Sequence, residues 1–192
     1  MAIVCTGLSP TSLEWCFGKR NLPGVRDRIY FIPKRDIVAW PTLPDTFVDN
    51  MGELATYVGD FELADGKKWH PMDILVEKSP VTSESQGAKP SKSSLNKATF
   101  IHPGTEEEAT GFCSLANNDD YVYIVQTKPG KYRVIGNEMY QTETNPSQNL
   151  GSSATDEMGT TLEVSVTDFT PAPFYNGIIE TDDGDINAPI IP

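Results

Sequence analysis

The stretch that decides the fold is LNKATFIHPGTEEEATGFCSLANNDDYVYIVQTKPGKYRVIG, which runs from Leu95 to Gly136. Its pattern predicts a strand over 96–101, a helix over 105–116, and two strands, 121–126 and 131–135, joined by a Pro-Gly turn. The strand 121–126 is apolar on both faces, which indicates a position in the middle of a sheet. The unit therefore predicts a mainly β protein with one helix lying on the sheet.

The start of the helix carries a capping signal. Thr105 and Glu108 have the spacing of a capping box, and three glutamates in the first turn suit the positive end of the helix dipole. Apolar or small residues then recur at helical spacing, at Ala109, Phe112, Cys113 and Ala116. We expect that narrow face to dock on the sheet.

Composition favours one β-rich domain. The 192 residues with 38% apolar content suffice for one full core, and fifteen Gly with fifteen Pro suit short strands joined by turns. No stretch approaches the length of a membrane span, and the N-terminus lacks a signal-peptide pattern, so no membrane partner is expected. Three cysteines without metal spacing, Cys5, Cys16 and Cys113, indicate reduced thiols in a protein made in cytoplasm.

Charge is unevenly distributed along the chain. The net charge of −12 argues against sequence-reading nucleic-acid binding, which needs a basic footprint. Residues 1–40 hold six basic and three acidic residues, a net charge of +3, which leaves −15 for the remaining 152 residues. A basic N-terminal arm on an acidic body suits head-to-tail self-association, although the same pattern also arises when charge simply scatters unevenly.

Further strands are predicted on both sides of the central unit. They cover 27–33, 37–40, 55–63, 69–77, 160–169 and 174–180. The Asp-Gly turn within 64–68 predicts that 55–63 and 69–77 form a hairpin. The strand 160–169 alternates most clearly, with Leu162, Val164 and Val166 on one face.

The segments between and beyond these strands are polar or irregular. We expect an N-terminal arm over 1–26, a single domain over 27–180, and a flexible acidic tail over 181–192. Two long polar excursions, 79–94 and 141–159, are predicted to be loops, and the first is either a contact loop or disordered. The arm carries Trp15 and Phe17, which indicates packing onto the body or onto a neighbouring subunit.

No residue is assigned a catalytic, cofactor-binding or metal-binding role. Cys113 and His102 could form a Cys–His pair, but Cys113 lies on the apolar helix face, which favours a buried structural thiol. The oxygen-rich runs 117–120 and 182–185 lack the full spacing of a calcium-binding EF-hand loop. There is no phosphate-binding Gly-rich loop and no nucleophile elbow. An enzyme is therefore the weaker class, and no cofactor is expected.

Three stretches carry a resemblance to a known family. They are the strand Gly24 to Phe31 with the following Ile37 and Trp40-Pro41, the passage from Phe100 to Gly104 with its later Val-Tyr-Ile-Val strand and Gly136 to Met139, and the ending from Pro171 to Tyr175. Together they resemble small virion proteins of phages and prophages of Bacteroidales-type bacteria, of the phage tail tube kind. The resemblance covers about residues 24–178, and its motifs are structural.

The resemblance implies a β-sandwich or barrel-like domain with one flanking α-helix, long polar loops and an N-terminal arm. It also implies a protein of the virion tail that forms hexameric rings, stacked as a tube through which DNA passes. Its partners would be other copies of itself and other tail or connector proteins. The acidic surplus would keep a lumen from gripping DNA, since like charges repel.

Two other classes remain open. Within the virion class, a capsid decoration or head–tail connector protein would have much the same composition. A carbohydrate-binding β-sandwich could use Trp40, Trp69 or Tyr175 as a stacking platform, although such residues more often lie in a core or an interface. An enzyme would be indicated by turnover that Cys113→Ala abolishes.

Overall fold

Strands account for most of the regular structure in the computed structural model, which describes residues 9–46 and 49–188. The strands are β1 Val25–Pro33, β2 Ile37–Ala39, β3 Glu62–Leu63, β4 His70–Asp73, β5 Val81–Gln86, β6 Ser93–His102, β7 Tyr121–Thr127, β8 Tyr132–Ile135, β9 Thr142–Asn149, β10 Gly159–Asp168 and β11 Phe174–Tyr175. The one α-helix of the described residues, α1, is Glu107–Ala116, and short 3-10 helices cover Lys34–Asp36, Met51–Ala55 and Val76–Lys78. The predicted fold class, mainly β with one helix, is confirmed.

Two antiparallel sheets form a β-sandwich. The larger sheet has the strand order β11-β8-β7-β1-β4, the smaller has the order β5-β6-β10-β9, and β2 with β3 forms a separate pair. The longest pairing joins β10 to β6, from Thr160 opposite His102 to Asp168 opposite Ser94. In the larger sheet β7 lies in the centre, next to β8 on one side and β1 on the other.

The inner core lies between the facing sheets. Leu162, Val164 and Val166 of β10 all point into it, which confirms the alternation predicted for that strand. Across the interface, the rings of Phe100 and Tyr123 lie 5.5 Å apart. Burial of each such side chain contributes roughly 1.5–3 kcal/mol, so this layer supplies a large share of the folding free energy.

A second core covers the outer face of the larger sheet. Val122 and Ile124 of β7 face this side, where Phe61 contacts the aromatic rings of Trp69 and Tyr175 at centroid distances of 5.4 Å and 5.0 Å. The covering segments come from the chain between β2 and β4 and from the chain after β10. β7 is therefore buried on both faces, which explains why its sequence is apolar throughout.

The helix packs as predicted but begins differently. Phe112 lies 4.8 Å from the ring of Phe31 and 5.3 Å from that of Tyr121, which confirms the docking face. The predicted capping box of Thr105 and Glu108 is wrong, since Glu106 is the N-cap and makes no side-chain capping bond. The helix starts at Glu107, so those two residues each stand one position away from the places that a box requires.

The predicted hairpin between 55–63 and 69–77 is also wrong. β3 has only two residues and pairs with β2, whereas β4 pairs with β1, with Ile29 opposite Met72. Phe61 and Trp69, on either side of the Asp-Gly turn, are both buried in the outer core. Burial of these rings, rather than a local ladder, therefore holds the two segments in place.

The two polar excursions contain strands. β5 forms a hairpin with β6, with Gln86 opposite Ser93, and β9 pairs along its length with β10. An edge strand can pair with its neighbour through backbone hydrogen bonds without apolar side chains. Because β5 and β9 are polar, their sequences resemble those of loops. The prediction of long loops over 79–94 and 141–159 is thus wrong for about half of each segment, and 87–92 and 150–158 are the longest stretches without a strand.

The acidic tail folds back in its described part. Thr181 is buried, the Trp69 amide donates to the Glu180 carbonyl at 2.9 Å, and Ile179 pairs with Ile186. Thr181 and Ile186 therefore hold this segment against the body, whereas 182–185 are exposed and 189–192 lie outside the described residues. The last predicted strand is shortened to β11. Within the described residues, no helix combines the length and apolarity needed to span a bilayer.

Candidate assembly surfaces

The two residues of the predicted Cys–His pair have surroundings that do not favour a nucleophile. The Nδ1 atom of His102 lies 2.9 Å from the carbonyl oxygen of Asp73. Cys113 is half-buried on the docking face of α1, and burial raises the pKa of its thiol. A raised pKa disfavours the thiolate, which is the nucleophilic form. This geometry suits a structural thiol.

The oxygen-rich runs are engaged in ion pairs. Asp119 pairs with Arg35, and Asp120 lies 3.5 Å from the ammonium of Lys34 and accepts a 2.9 Å hydrogen bond from the Thr142 amide. Asp182 pairs with Lys68 at 3.3 Å. Within the described ranges, no group of three or more His, Cys, Asp or Glu side chains could hold a metal ion. These carboxylates tie segments of the fold together.

Two members of the predicted aromatic platform lie inside the protein, and the third, Trp40, is half-buried. Trp69 and Tyr175 are fully buried in the outer core, and Trp40 packs edge-on against Phe61 at 5.2 Å. The Tyr175 hydroxyl accepts from the Phe61 amide and donates to the Ile178 carbonyl, so its polar atom is also used. A sugar-stacking role for Trp69 and Tyr175 is therefore wrong.

The described part of the N-terminal arm, residues 9–24, is exposed throughout and contains no strand. Four of its large apolar side chains face solvent: Leu13, Trp15, Phe17 and Leu22. Trp15 is 58% exposed and Phe17 is 99% exposed. Exposed apolar side chains grouped in this way mark an interaction site more often than scattered ones do. Packing of Trp15 and Phe17 onto the chain's own body is not observed.

A second apolar surface lies on the body. Met139, Tyr140 and Phe169 are 74%, 43% and 58% exposed, and the rings of Tyr140 and Phe169 lie 6.4 Å apart. Met139 and Phe169, with Trp40 and Leu43, border a hollow of about 250 Å³. We name Trp40, Leu43, Met139, Tyr140 and Phe169 the apolar patch.

A buried polar pair holds the apolar patch in shape. The Asn137 amide donates to the Asp168 carboxylate at 2.8 Å, and its own oxygen accepts from the Met139 and Tyr140 amides at 2.8 Å and 3.2 Å. The same Asp168 oxygen accepts from the Phe169 amide at 2.7 Å. This pair therefore fixes the backbone under all three exposed side chains of the patch.

Asp168 has an unusual environment. Its side chain is fully buried, and its second oxygen, Oδ2, has no hydrogen-bond partner among the described residues. Burial raises the pKa of this carboxyl to about 6, while the bonds from Phe169 and Asn137 oppose the rise. Removal from water disfavours the ionised form, which is the dominant cause here.

The sequence contains an indication of this patch, at the end of β10, that a prediction of strands alone does not take into account. In β10 the even-numbered residues point inward. The charged Asp168 therefore takes a buried position, and the apolar Phe169 takes a solvent-facing position. Two consecutive residues thus break the alternation in opposite senses. Such a break at the end of a strand indicates a local constraint beyond simple core formation.

The arm and the apolar patch lie at opposite ends of the sandwich. The arm joins β1 at Val25, which stands opposite Thr127 at one end of β7. At the other end, Pro33 stands opposite Tyr121, and the adjacent Lys34 ammonium donates to the Tyr140 carbonyl at 2.8 Å. The six-residue rise along β7 separates these ends by about 20 Å.

A third surface is the free edge of the smaller sheet. β5 pairs with β6 on one side and has no strand on its other side among the described residues. Its four middle residues, Thr82 to Ser85, are exposed. An unpaired edge offers backbone donors and acceptors to a strand of another chain. The opposite edge strand, β9, instead lies beside α1, where Thr110 donates to Gln148 at 3.2 Å.

Three surfaces thus lack a partner among the described residues: the arm, the apolar patch and the β5 edge. The first two lie near opposite ends of β7, and β5 lies at the arm end, where Val81 and Ser83 border a hollow together with Gly24. Comparison with known proteins gives no family to which they could be assigned. No protein-family model, no curated protein and no solved structure matches this chain.

Proposed function

We propose that this protein is a self-assembling structural subunit of a phage tail tube. Copies would associate side by side into rings, and rings would stack along the strand axis to form a passage for DNA. This proposal combines the family resemblance of residues 24–178 with the surfaces described above. The ring would form in the virion tail after synthesis in the bacterial cytoplasm.

The observation that carries the proposal is the placement of the unpartnered surfaces. An arm with exposed Trp15 and Phe17 leaves one end of the sandwich, and the exposed Met139, Tyr140 and Phe169 lie at the other. Contacts between unlike surfaces of identical copies generate rings or open filaments. The free β5 edge supplies a separate lateral contact.

The charge distribution supports a passage rather than a DNA-binding surface. The chain has 27 acidic and 15 basic residues, and the first forty residues carry a net charge of +3, which leaves −15 for the rest. The domain body is therefore strongly acidic. An acidic surface repels phosphate groups, so DNA could move past it without being retained.

The decisive experiment is negative-stain electron microscopy of the purified protein, with its mass measured by analytical ultracentrifugation. We expect ring-shaped particles and tubes whose average length increases with protein concentration. Rings without tubes would favour the connector role, and isolated particles that bind only to capsids would favour the decoration role. A strictly monomeric protein at high concentration would refute self-assembly.

A further inference from the structure

The arm presents an apolar segment followed by cations. Trp15 and Phe17 are exposed, and Lys19 and Arg20 follow directly in the chain. Neither cation forms an ion pair with a described residue. The segment therefore offers aromatic rings and two uncompensated positive charges to a partner.

The apolar patch offers complementary features. Its exposed Met139 and Phe169 border the hollow of about 250 Å³, and Glu138 lies on the same hollow. Glu138 forms no ion pair with a described residue. An aromatic side chain entering this hollow would remove apolar surface from water, and an adjacent cation could approach Glu138.

The arm does not dock on the patch of its own chain in the structure. Phe17 precedes the arm's root at Gly24 by seven residues, which span at most about 25 Å when fully extended. The patch lies about 20 Å from that root along β7, so the arm would have to run nearly straight along its own body. Instead, residues 9–24 lie exposed. When copies are aligned along the strand axis, the arm of one reaches the patch end of the next.

We propose that the arm of one copy docks on the apolar patch of the next copy, with Trp15 and Phe17 against Met139 and Phe169 and with Lys19 or Arg20 near Glu138. This contact is heterologous, so every copy uses its arm on one neighbour and its patch on another. This docking mode rests on the self-association in the proposed function, and it specifies which residues would form the axial contact. The Asn137–Asp168 pair positions the patch for it.

The native thiol in the arm allows a direct test. Cys16 is exposed between Trp15 and Phe17. In the full chain, Cys5→Ser and Cys113→Ala leave Cys16 as the only native thiol, and Met139→Cys places a second thiol on the patch. Mild oxidation of mixed ¹⁴N- and ¹⁵N-labelled chains, followed by mass spectrometry of the linked peptides, identifies which residues join and whether they belong to different chains.

We expect an intermolecular disulfide between Cys16 and position 139, and a ladder of covalent multimers on a non-reducing gel. The matched control is Leu150→Cys in the same background, because Leu150 is 71% exposed but lies beyond the far end of β9. Its yield of cross-link to Cys16 should be at least fivefold lower. Equal yields, or a disulfide within one chain, would overturn the proposal.

The outcomes separate this inference from the tail-tube proposal. Tubes seen by microscopy without the cross-link would refute the docking mode and leave the tube intact. A cross-linked ladder without rings would support the docking mode and refute the tube. A monomer without cross-links would refute both.

If the cysteine-depleted chain does not fold, tryptophan fluorescence answers the same question. We compare the wild-type chain with Trp15→Phe as protein concentration rises. Trp15 should lose its access to acrylamide on assembly, so the difference in quenching between the two chains should fall several-fold. An unchanged difference in assembled protein would refute docking of the arm.

Discussion

Asp168 keeps a carboxylate inside the protein directly beneath exposed apolar side chains. Its Oδ1 accepts two hydrogen bonds, from Asn137 and Phe169, and its Oδ2 has no partner among the described residues. Tyr57 lies close enough for the Asp168 charge to contribute to the raised pKa of its hydroxyl. An ionised group here is stabilised by few donors, so its charge lowers the stability of the folded state.

The first prediction concerns pH and Asp168. Because the pKa of this carboxyl rises from 3.8 to about 6 on folding, the folded state binds more protons between those values. Its contribution to the free energy of unfolding therefore falls by roughly 2 kcal/mol as pH rises from about 4 to about 6. Asp168→Asn removes this titration, so the variant should gain stability relative to the wild type across that range, as measured by urea unfolding at pH 4.5 to 7.5.

Asp156 provides a control with the opposite shift. Hydrogen bonds from Ser152 and Ser153 lower the pKa of this exposed carboxyl to about 2. Its contribution is fully present above the unfolded pKa and is lost only as pH falls through 3.8 towards 2. The stability difference between Asp156→Asn and wild type should stay constant from pH 5 to 7.5. A constant difference for Asp168→Asn as well would contradict the assignment of the raised pKa.

At the scale of single elements, the N-terminus of α1 lacks a side-chain cap. Glu106 has the extended backbone of an N-cap residue, with φ −69° and ψ −178°, yet its side chain makes no capping bond. A glutamate side chain is longer than the Asp, Asn, Ser and Thr side chains that satisfy the first helical amides best. The helix is therefore stabilised mainly by its packing through Phe112 and Ala116.

The second prediction is that Glu106→Asp stabilises the protein by about 1 kcal/mol. The substitution keeps the charge near the positive end of the helix and shortens the side chain so that it can accept from the first-turn amides. The increase should appear in urea unfolding and in slower hydrogen exchange of the first turn. Glu107→Asp makes the same chemical change one position inside the helix, so an equal gain there would argue against capping.

The sequence predicts best the strands whose side chains either alternate between apolar and polar or are apolar throughout. β10 alternates because one face is buried and the other meets solvent, and β7 is apolar throughout because both of its faces are covered. β5 and β9 lie at sheet edges and pair through their backbones, so Thr, Ser, Asn and Glu suffice there. Their side chains contain little that distinguishes them from a loop.

The assembly surfaces were only partly predictable, for a related reason. The apolar arm was identified from Trp15 and Phe17 because its sequence is continuous. The apolar patch joins Met139 and Tyr140 to Phe169, some thirty residues away, and only the folded chain brings these side chains together. The pairings of β3 and β4 were likewise decided by burial of distant rings rather than by the local Asp-Gly turn.

At the scale of the whole molecule, the domain has three layers rather than two. The outer layer is fastened to the larger sheet by Trp69, which is 1% exposed, contacts Phe61, and donates its amide to Glu180. It thus connects the chain before β4 to the chain after β11. This layer covers the outer face of the larger sheet.

The third prediction follows from that position. Trp69→Ala should lower the free energy of unfolding by about 3–5 kcal/mol, because it removes a large buried side chain and leaves a cavity. Thermal unfolding followed by circular dichroism measures the loss. The control is Trp15→Ala, whose side chain is exposed in the arm, so the stability of the monomer should change by no more than about 0.5 kcal/mol. Similar losses for both variants would contradict the three-layer description.

The proposed lateral and axial contacts would use different residues of this architecture. The lateral contact would use the free edge of β5, whereas the axial contact would join the arm at one end of β7 to the apolar patch near its other end. A contact between unlike surfaces forms a ring when the rotation between copies closes and otherwise continues as an open filament, and the two proposed contacts share no residues. Disruption of one contact should therefore leave the other in place.

The fourth prediction is that the full chain with Trp15→Ser and Phe17→Ser forms rings but few tubes. Both side chains are exposed, so the fold and its unfolding midpoint should be retained, while the axial contact loses most of its apolar area. Sedimentation should show one ring-sized species in place of a broad, concentration-dependent distribution. Leu150→Ser removes an equally exposed apolar side chain outside the arm and the patch and should leave the tubes unchanged. Tubes of wild-type length in the arm variant would mean that stacking depends on other surfaces.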